Sequence, residues 1–230
     1  QRLAAENVHR SGRELLDVSS RGASGRVTVR VGALATLPRT ITCRLLEPAL
    51  EAGPFTIDVQ HGPFDRLLEE LAAGRLHVVL ADQAPPQGTA LRLHAHPLGE
   101  TELLVFAMPA LAARLTNRFP RSLHGAPMLL PRPGSLLRRS IDAWLGLHDV
   151  RVRVVAEIDD AGTLRAFGLR GRGVFPVRAA LASEVADVGG ARRIGRFDGL
   201  GERYVAITRE RTIRHPAIAA VVETARERLG

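Results

Sequence analysis

The chain contains no lysine; all 32 of its basic residues are arginine. It has one cysteine, one tryptophan and one tyrosine, and aromatics make up 4% of it. No apolar run approaches the ~20 residues of a membrane span. Each scarcity narrows the choices. A lone Cys43 forms no intrachain disulfide and no cysteine-based zinc site, which points to a reducing compartment, the cytoplasm. Few aromatics exclude a stacking platform for single-stranded nucleic acid. Without a membrane-length run or an apolar core in Gln1-Arg-Leu-Ala-Ala-Glu6, neither a membrane partner nor a signal peptide is expected. No Gly-x-Ser-x-Gly motif is present, and no base is identifiable for Cys43 to work with as a nucleophile. The first residue is not Met, so the chain reads as a fragment or a processed product.

What is present fits a packed protein. Of the 230 residues, 45% are hydrophobic and 24% charged, enough for one large or two modest domains with an ordinary polar surface. The formal charge of +8 invites a nucleic-acid reading. The arginines are scattered, however, with only short pairs such as Arg138-Arg139 and Arg192-Arg193, and they form no stripe interleaved with aromatics. An all-arginine, alanine-rich composition also follows from codon bias. Direct DNA contact is therefore not expected of these residues.

The block running from Leu67 to Asp82 is the most informative. Phe64, Leu67, Leu68 and Leu71 fall at i, i+3, i+4 and i+7, one stripe of a helix. Gly74 stands where the chain leaves that helix. Leu76, Val78, Val79 and Leu80 then make an apolar run typical of a strand covered on both faces. With a strand at 27–33 before it, this is a βαβ layout, whose ligands bind beyond the carboxyl ends of the strands. The remaining pattern predicts helices at 3–19, 37–51, 110–115, 136–145, 160–170, 178–186 and from Pro216 on. It predicts strands at 55–60, 91–96, 102–106, 128–130, 151–157, 174–175, 191–196 and 204–208. Residues 19–25 read as a linker. Cys43, on an apolar helix face, is expected in the core, and Gly146 is expected to stop the helix before it.

The segments Gly25-Arg-Val-Thr-Val-Arg-Val-Gly32, "LLEELAAGRLHVVLAD", "HPLGETELLVFAMPALAARL", "FPRSLHGAPMLLPRPGSLLRRSIDAWL" and "GRGVFP" follow one another in an order that resembles the effector-binding domain of LysR-type transcriptional regulators. They resemble in particular the branch that includes the activator of sodium/proton antiporter genes. The likeness spans about the whole chain; the one departure is His77, where the family pattern has Asp. It implies an α/β, two-lobed, periplasmic-binding-protein-like fold with two crossover strands and an interlobe cleft. The expected division is 1–25 as linker, 26–106 plus 208–230 as lobe I, and 107–207 as lobe II. It also implies a homodimer or homotetramer, with the helix near 38–50 and strand 55–60 of one copy against the helix near 178–186 of another. DNA would be bound only through a helix-turn-helix domain upstream of this chain.

The candidate site is a set of four strand-to-helix turns, where helix N-termini offer free N–H groups to a small polar ligand. In lobe I these hold Leu34 and Thr36, then Gly62, Pro63 and Phe64. In lobe II they hold Arg132, Gly134 and Ser135, then Asp159 and Asp160. Met108 lies at the crossing, and Phe175 and Pro176 would supply an apolar wall. Each has an alternative reading: Thr36 and Ser135 as helix caps, Asp159 and Asp160 as carboxylates favoured by the helix dipole, Pro133-Gly134 as a plain turn. Arg132 opposite the two aspartates favours an anionic or zwitterionic organic effector over a bare ion, which needs several oxygens at short range. His94 and His96 share a strand face without an identifiable third ligand, so no metal and no cofactor are expected. The competing function is an extracytoplasmic solute-binding protein, which shares the two-lobed plan; an enzyme on the same fold would need a nucleophile or base that the sequence does not show.

Overall fold

A computed structural model describes residues 27–86 and 92–229. The expected helix 3–19, the linker 19–25 and the start of the strand at 91 lie outside the described residues. The strands are β1 (Val27–Leu34), β2 (Phe55–Gly62), β3 (Val78–Ala81), β4 (His94–Ala107), β5 (Pro127–Pro131), β6 (Arg153–Ile158), β7 (Phe175–Arg178) and β8 (Arg192–Thr208). The helices are α1 (Arg39–Glu51), α2 (Phe64–Ala72), α3 (Pro109–Leu115), α4 (Leu136–Leu147), α5 (Ala161–Leu169) and α6 (Pro216–Leu229).

One sheet runs in the order β2-β1-β3-β8-β4-β7, and β5 pairs with β6 in a second. β1 lies parallel to both β2 and β3, whereas β8 runs antiparallel to β3 and β7 antiparallel to β4. Val174 bridges Met128 in parallel, which lays the entry to β7 alongside β5. The chain forms two compact units. The first comprises the described residues up to Leu37, Thr42–Leu98 and Tyr204–Arg226; the second comprises Pro38–Ile41, Gly99–Arg203 and the end of α6 from Glu227. The units divide inside β4, between Leu98 and Gly99, and inside β8, between Arg203 and Tyr204.

In the first unit Val29, Val31, Leu67, Leu71 and Leu80 are all at most 2% exposed, as the helical stripe and the apolar run require. Gly74 takes φ +76°, a left-handed conformation that ends α2 at little cost only for glycine. In the second unit Leu103, Val105, Met128, Leu130, Ile141, Trp144, Val174 and Phe197 form the core. The α4 stripe of Ile141, Trp144 and Leu145 is buried, as its spacing predicts.

Four expectations are corrected. Cys43 is exposed, not buried. α1 buries Ile41, Thr42, Leu45, Leu46 and Ala49, and Cys43 stands one residue beyond Thr42, off that stripe. A polar Thr42 on the buried face disguised the true stripe. The pairs of short strands expected at 91–96 with 102–106, and at 191–196 with 204–208, are each one long strand. Pro97, Gly99 and Gly199 look like breaks in isolation, but hydrogen-bonded neighbours on both sides carry β4 and β8 through them. Gly146 does not stop α4. The helix runs to Leu147, and Asp149 takes the left-handed turn at φ +50° while Val150 N–H donates to the Leu145 carbonyl at 2.9 Å. The helix expected at 178–186 is broken into a 3-10 turn, Ala179–Leu181, and a π-helical stretch, Glu184–Val188.

Candidate functional site

Parallel pairing places the turns of each unit side by side. In the first unit the register sets Leu34 opposite Gly62, and Ala35 N–H donates to the Gly62 carbonyl at 2.9 Å. The turn after β1 and the turn after β2 therefore emerge together. α2 then starts at Phe64 with Pro63 at its cap position and no side chain capping it. Its first N–H groups are left for solvent or a ligand. Leu34 and Gly62 are buried, Thr36 and Pro63 exposed, and Phe64 half-buried. Thr36 is not a cap: the turn closes with Leu37 N–H on the Leu34 carbonyl, and α1 begins only at Arg39.

The second unit repeats the arrangement. Pro131 lies opposite Ile158 in the parallel β5–β6 pair, so the turns 132–135 and 159–160 leave the same sheet end. Both helices that follow are capped. Ser135 Oγ accepts Arg138 N–H at 3.1 Å and donates to the Arg132 carbonyl at 3.2 Å. Asp160 Oδ1 accepts both the hydroxyl and the N–H of Thr163 at 2.7 Å. Those two hydrogen bonds, the hydroxyl's first, hold the Asp160 carboxyl below the usual aspartate range. The capping readings of Ser135 and Asp160 are thus realised. Gly134, at φ +95°, makes the tight turn before the cap.

Sequence reasoning missed Arg138. Its side chain is 12% exposed. Nε donates to both Asp142 oxygens at 2.9 Å, and Nη1 donates to Glu157 at 2.7 Å and to the Pro131 carbonyl at 2.9 Å. Partial burial opposes this charge, but the hydrogen bonds from Glu157 and Asp142 prevail and raise its pKa above the ordinary guanidinium value. One residue therefore ties the ends of β5 and β6 to α4. The spacing of Arg138 and Asp142, i and i+4, was a visible signal; the partnership with Glu157 was not. The cross-turn ion pair runs through Arg138 and Glu157. The exposed Arg132, expected to oppose Asp159 and Asp160, makes no ion pair among the described residues.

Met108, half-buried, holds the cap position of α3, where Leu111 and Ala112 N–H groups donate to its carbonyl. Phe175 does not offer its ring as a ligand wall. It is 0% exposed, paired in register with Phe106, and packed so closely on α5 that a methyl on Gly168 would come 2.3 Å from the ring. Alternation along β7 leaves Pro176 half-buried on the opposite side. His96 is engaged with Thr208 Oγ1 at 2.9 Å and the Glu210 carbonyl at 3.3 Å.

Comparison with known proteins agrees with this architecture. The family model "LysR substrate binding domain" matches residues 22–230. The transcriptional activator protein NhaR of Escherichia coli K12 is 24% identical over 221 residues, which is 96% of this chain and 72% of NhaR. Among solved structures, the apo regulatory domain of HypT from Salmonella typhimurium shares the fold with a TM-score of 0.64 at 16% identity, over 90% of this chain and 98% of that one. The reduced regulatory domain of OxyR2 from Vibrio vulnificus also gives 0.64, at 15% identity, over 89% and 96%. The Synechocystis CcmR regulatory domain in complex with 2-PG gives 0.58 at 15% identity, over 88% and 97%. Family match, relative and fold agree with one another: the chain belongs to the LysR substrate-binding domain family, the ligand-sensing regulatory part of LysR-type transcriptional regulators.

Proposed function

We propose that this chain senses a small anionic or zwitterionic effector through the strand-end turns of its two units. In the first unit these carry Leu34, Thr36, Gly62, Pro63 and Phe64. In the second they carry Arg132, Gly134, Ser135, Asp159 and Asp160, and the reading also includes Met108 and Pro176. The parallel registers Leu34–Gly62 and Pro131–Ile158 carry this reading, because each brings two turns to one sheet end. The uncapped start of α2 in the first unit, and the exposed guanidinium of Arg132 in the second, each offer a complement to a negative group. The role is binding rather than turnover, in the cytoplasm, as the single cysteine suggests. DNA is contacted through another part of the regulator.

A thermal-shift screen of organic acids, amino acids, phosphate esters and alkali salts tests the site. A hit is then titrated by calorimetry against Ser135→Trp, whose indole fills the turn while both cores stay intact. Loss of binding in a folded variant is the expected result. Undiminished affinity would place the site elsewhere and overturn this assignment.

We also propose that the chain self-associates through α1 and β2 of one copy against the segment 178–188 of another. Leu50 is 58%, Val59 37% and Val188 86% exposed, apolar surface that a second copy would cover. Cys43, two turns before Leu50 on the same face of α1, reports on it. Its reaction with a thiol reagent is expected to be rapid in dilute solution and to slow as concentration drives association. A rate independent of concentration, in a sample shown by sedimentation to associate, would exclude α1 from the interface.

A further inference from the structure

The stretch Glu184–Val188 is π-helical, and Gly189 N–H donates to the Glu184 carbonyl at 3.2 Å. A π turn is rare and persists where its surroundings support it. Two contacts with α5 supply that support. Arg165 Nη1 lies 3.0 Å from Glu184 Oε1 and is closed to solvent, so the carboxylate offsets a charge that water does not reach. Glu184 thus serves twice: its carbonyl closes the turn and its carboxylate holds α5. Gly189 forms the second contact. A methyl added there would come 2.5 Å from the Leu169 side chain and 2.7 Å from the Val185 carbonyl, an approach that glycine permits.

The nine residues of α5 make a helix about 14 Å long. It starts at the turn holding Asp159 and Asp160, where Asp160 Oδ1 accepts both the hydroxyl and the N–H of Thr163. Arg165 follows about one and a half turns later, and Leu169 ends the helix. Leu164 and Gly168 are buried along it, and Gly168 packs on the ring of Phe175. So short and closely packed an element offers little length over which a displacement at its start could be absorbed.

We propose that α5 couples the turn at Asp159 and Asp160 to the stretch 184–188, with Arg165 as the positioning residue that carries the coupling. The inference rests on the proposed function, which assigns that turn to the effector and that stretch to self-association. A shift of the turn moves the start of α5, and Arg165 moves with it. The π turn then yields, because Glu184 is tied to Arg165 by its side chain and to Gly189 by its backbone. Val188, 86% exposed, lies on that turn, so the change reaches the surface offered to a second copy.

Amide hydrogen exchange of the whole 230-residue chain tests the coupling, at one dilute concentration and with no effector added. Failure of the effector or interface assignment therefore leaves this test standing. Asp160→Ala removes the cap. The Gly189 and Ala191 amides, bonded at 3.2 Å to the Glu184 and Val185 carbonyls, are expected to exchange at least ~3-fold faster in that variant. Asp160→Ser keeps a capping oxygen and is expected to leave both near the wild-type rate. Arg165→Met is expected to quicken both amides by itself, and adding Asp160→Ala to it is expected to quicken them no further. Such a failure to add is the mark of coupled residues. Glu184→Gln repeats the cycle from the other partner should Arg165→Met not fold. The Val150 amide, bonded to the Leu145 carbonyl at the end of α4, is expected to keep its rate throughout. No response of Gly189 and Ala191 to Asp160→Ala, a response that adds in full to that of Arg165→Met, or an equal acceleration at Val150 overturns the proposal.

Discussion

Phe175→Ala is expected to lower the stability of the second unit by ~3–5 kcal/mol, the range for emptying a buried phenylalanine site. The ring is 0% exposed and stands 6.4 Å from the ring of Phe106. Gly168 of α5 packs so closely on it that a methyl there would come 2.3 Å from the ring. Denaturant unfolding followed through Trp144 measures the loss. This is the chain's one tryptophan, and it is buried in the second unit against Phe197 at 4.9 Å. A loss below ~1 kcal/mol would mean the ring is dispensable to packing and would restore it as a ligand wall.

Arg138→Met is expected to have the next largest effect, ~1.5–3 kcal/mol, the value of hydrogen bonds made by a charged group. Methionine keeps much of the apolar stem but leaves the Pro131 carbonyl without its guanidinium donor. The carboxylates lose less, because Asp142 is 52% and Glu157 42% exposed and both regain water. The damage should therefore concentrate at the turn. Amide exchange is expected to quicken at 132–138 and 157–160, with the β4–β7 ladder unaffected. Arg138→Lys should restore the charge but not the fork that reaches Asp142, Glu157 and Pro131 together, recovering only part of the loss. A uniform acceleration across the second unit, or none, would contradict the role of Arg138 as the link between the two turns.

The effect of Arg138 could not be foreseen from its neighbours in the chain. Asp142 lies one helical turn away and is legible from spacing. Glu157 is 19 residues away on another strand and is brought to Arg138 only by the parallel β5–β6 register. The same holds for His77. It stood out in the sequence as a departure from the family pattern, but its partner Arg30 is 47 residues distant and meets it through the β1–β3 pairing. The sequence offers Phe175 and Pro176 together as an apolar wall. Only burial along β7 shows which of the two faces inward: Phe175 is 0% exposed and Pro176 half-buried on the other side of the strand.

The sequence by itself determined the local elements and their order. The stripes of α2 and α4, the apolar run of β3, the glycine exit at Gly74 and the serine cap at Ser135 depend on residues three or four apart. The order of segments that identifies the family is likewise read directly from the chain. Tertiary structure decided what depends on distant partners. It carried β4 and β8 through Pro97 and Gly199, where local composition suggested breaks. It turned Cys43 outward, because a buried Thr42 on α1 completes the inward stripe. It handed the left-handed position at the end of α4 to Asp149 instead of Gly146. The physical reason is common to all three: propensities and spacing are properties of a short stretch of chain. Strand length, side-chain facing and ion-pair partners are set by whichever segment, near or far in sequence, satisfies the backbone and covers the apolar side.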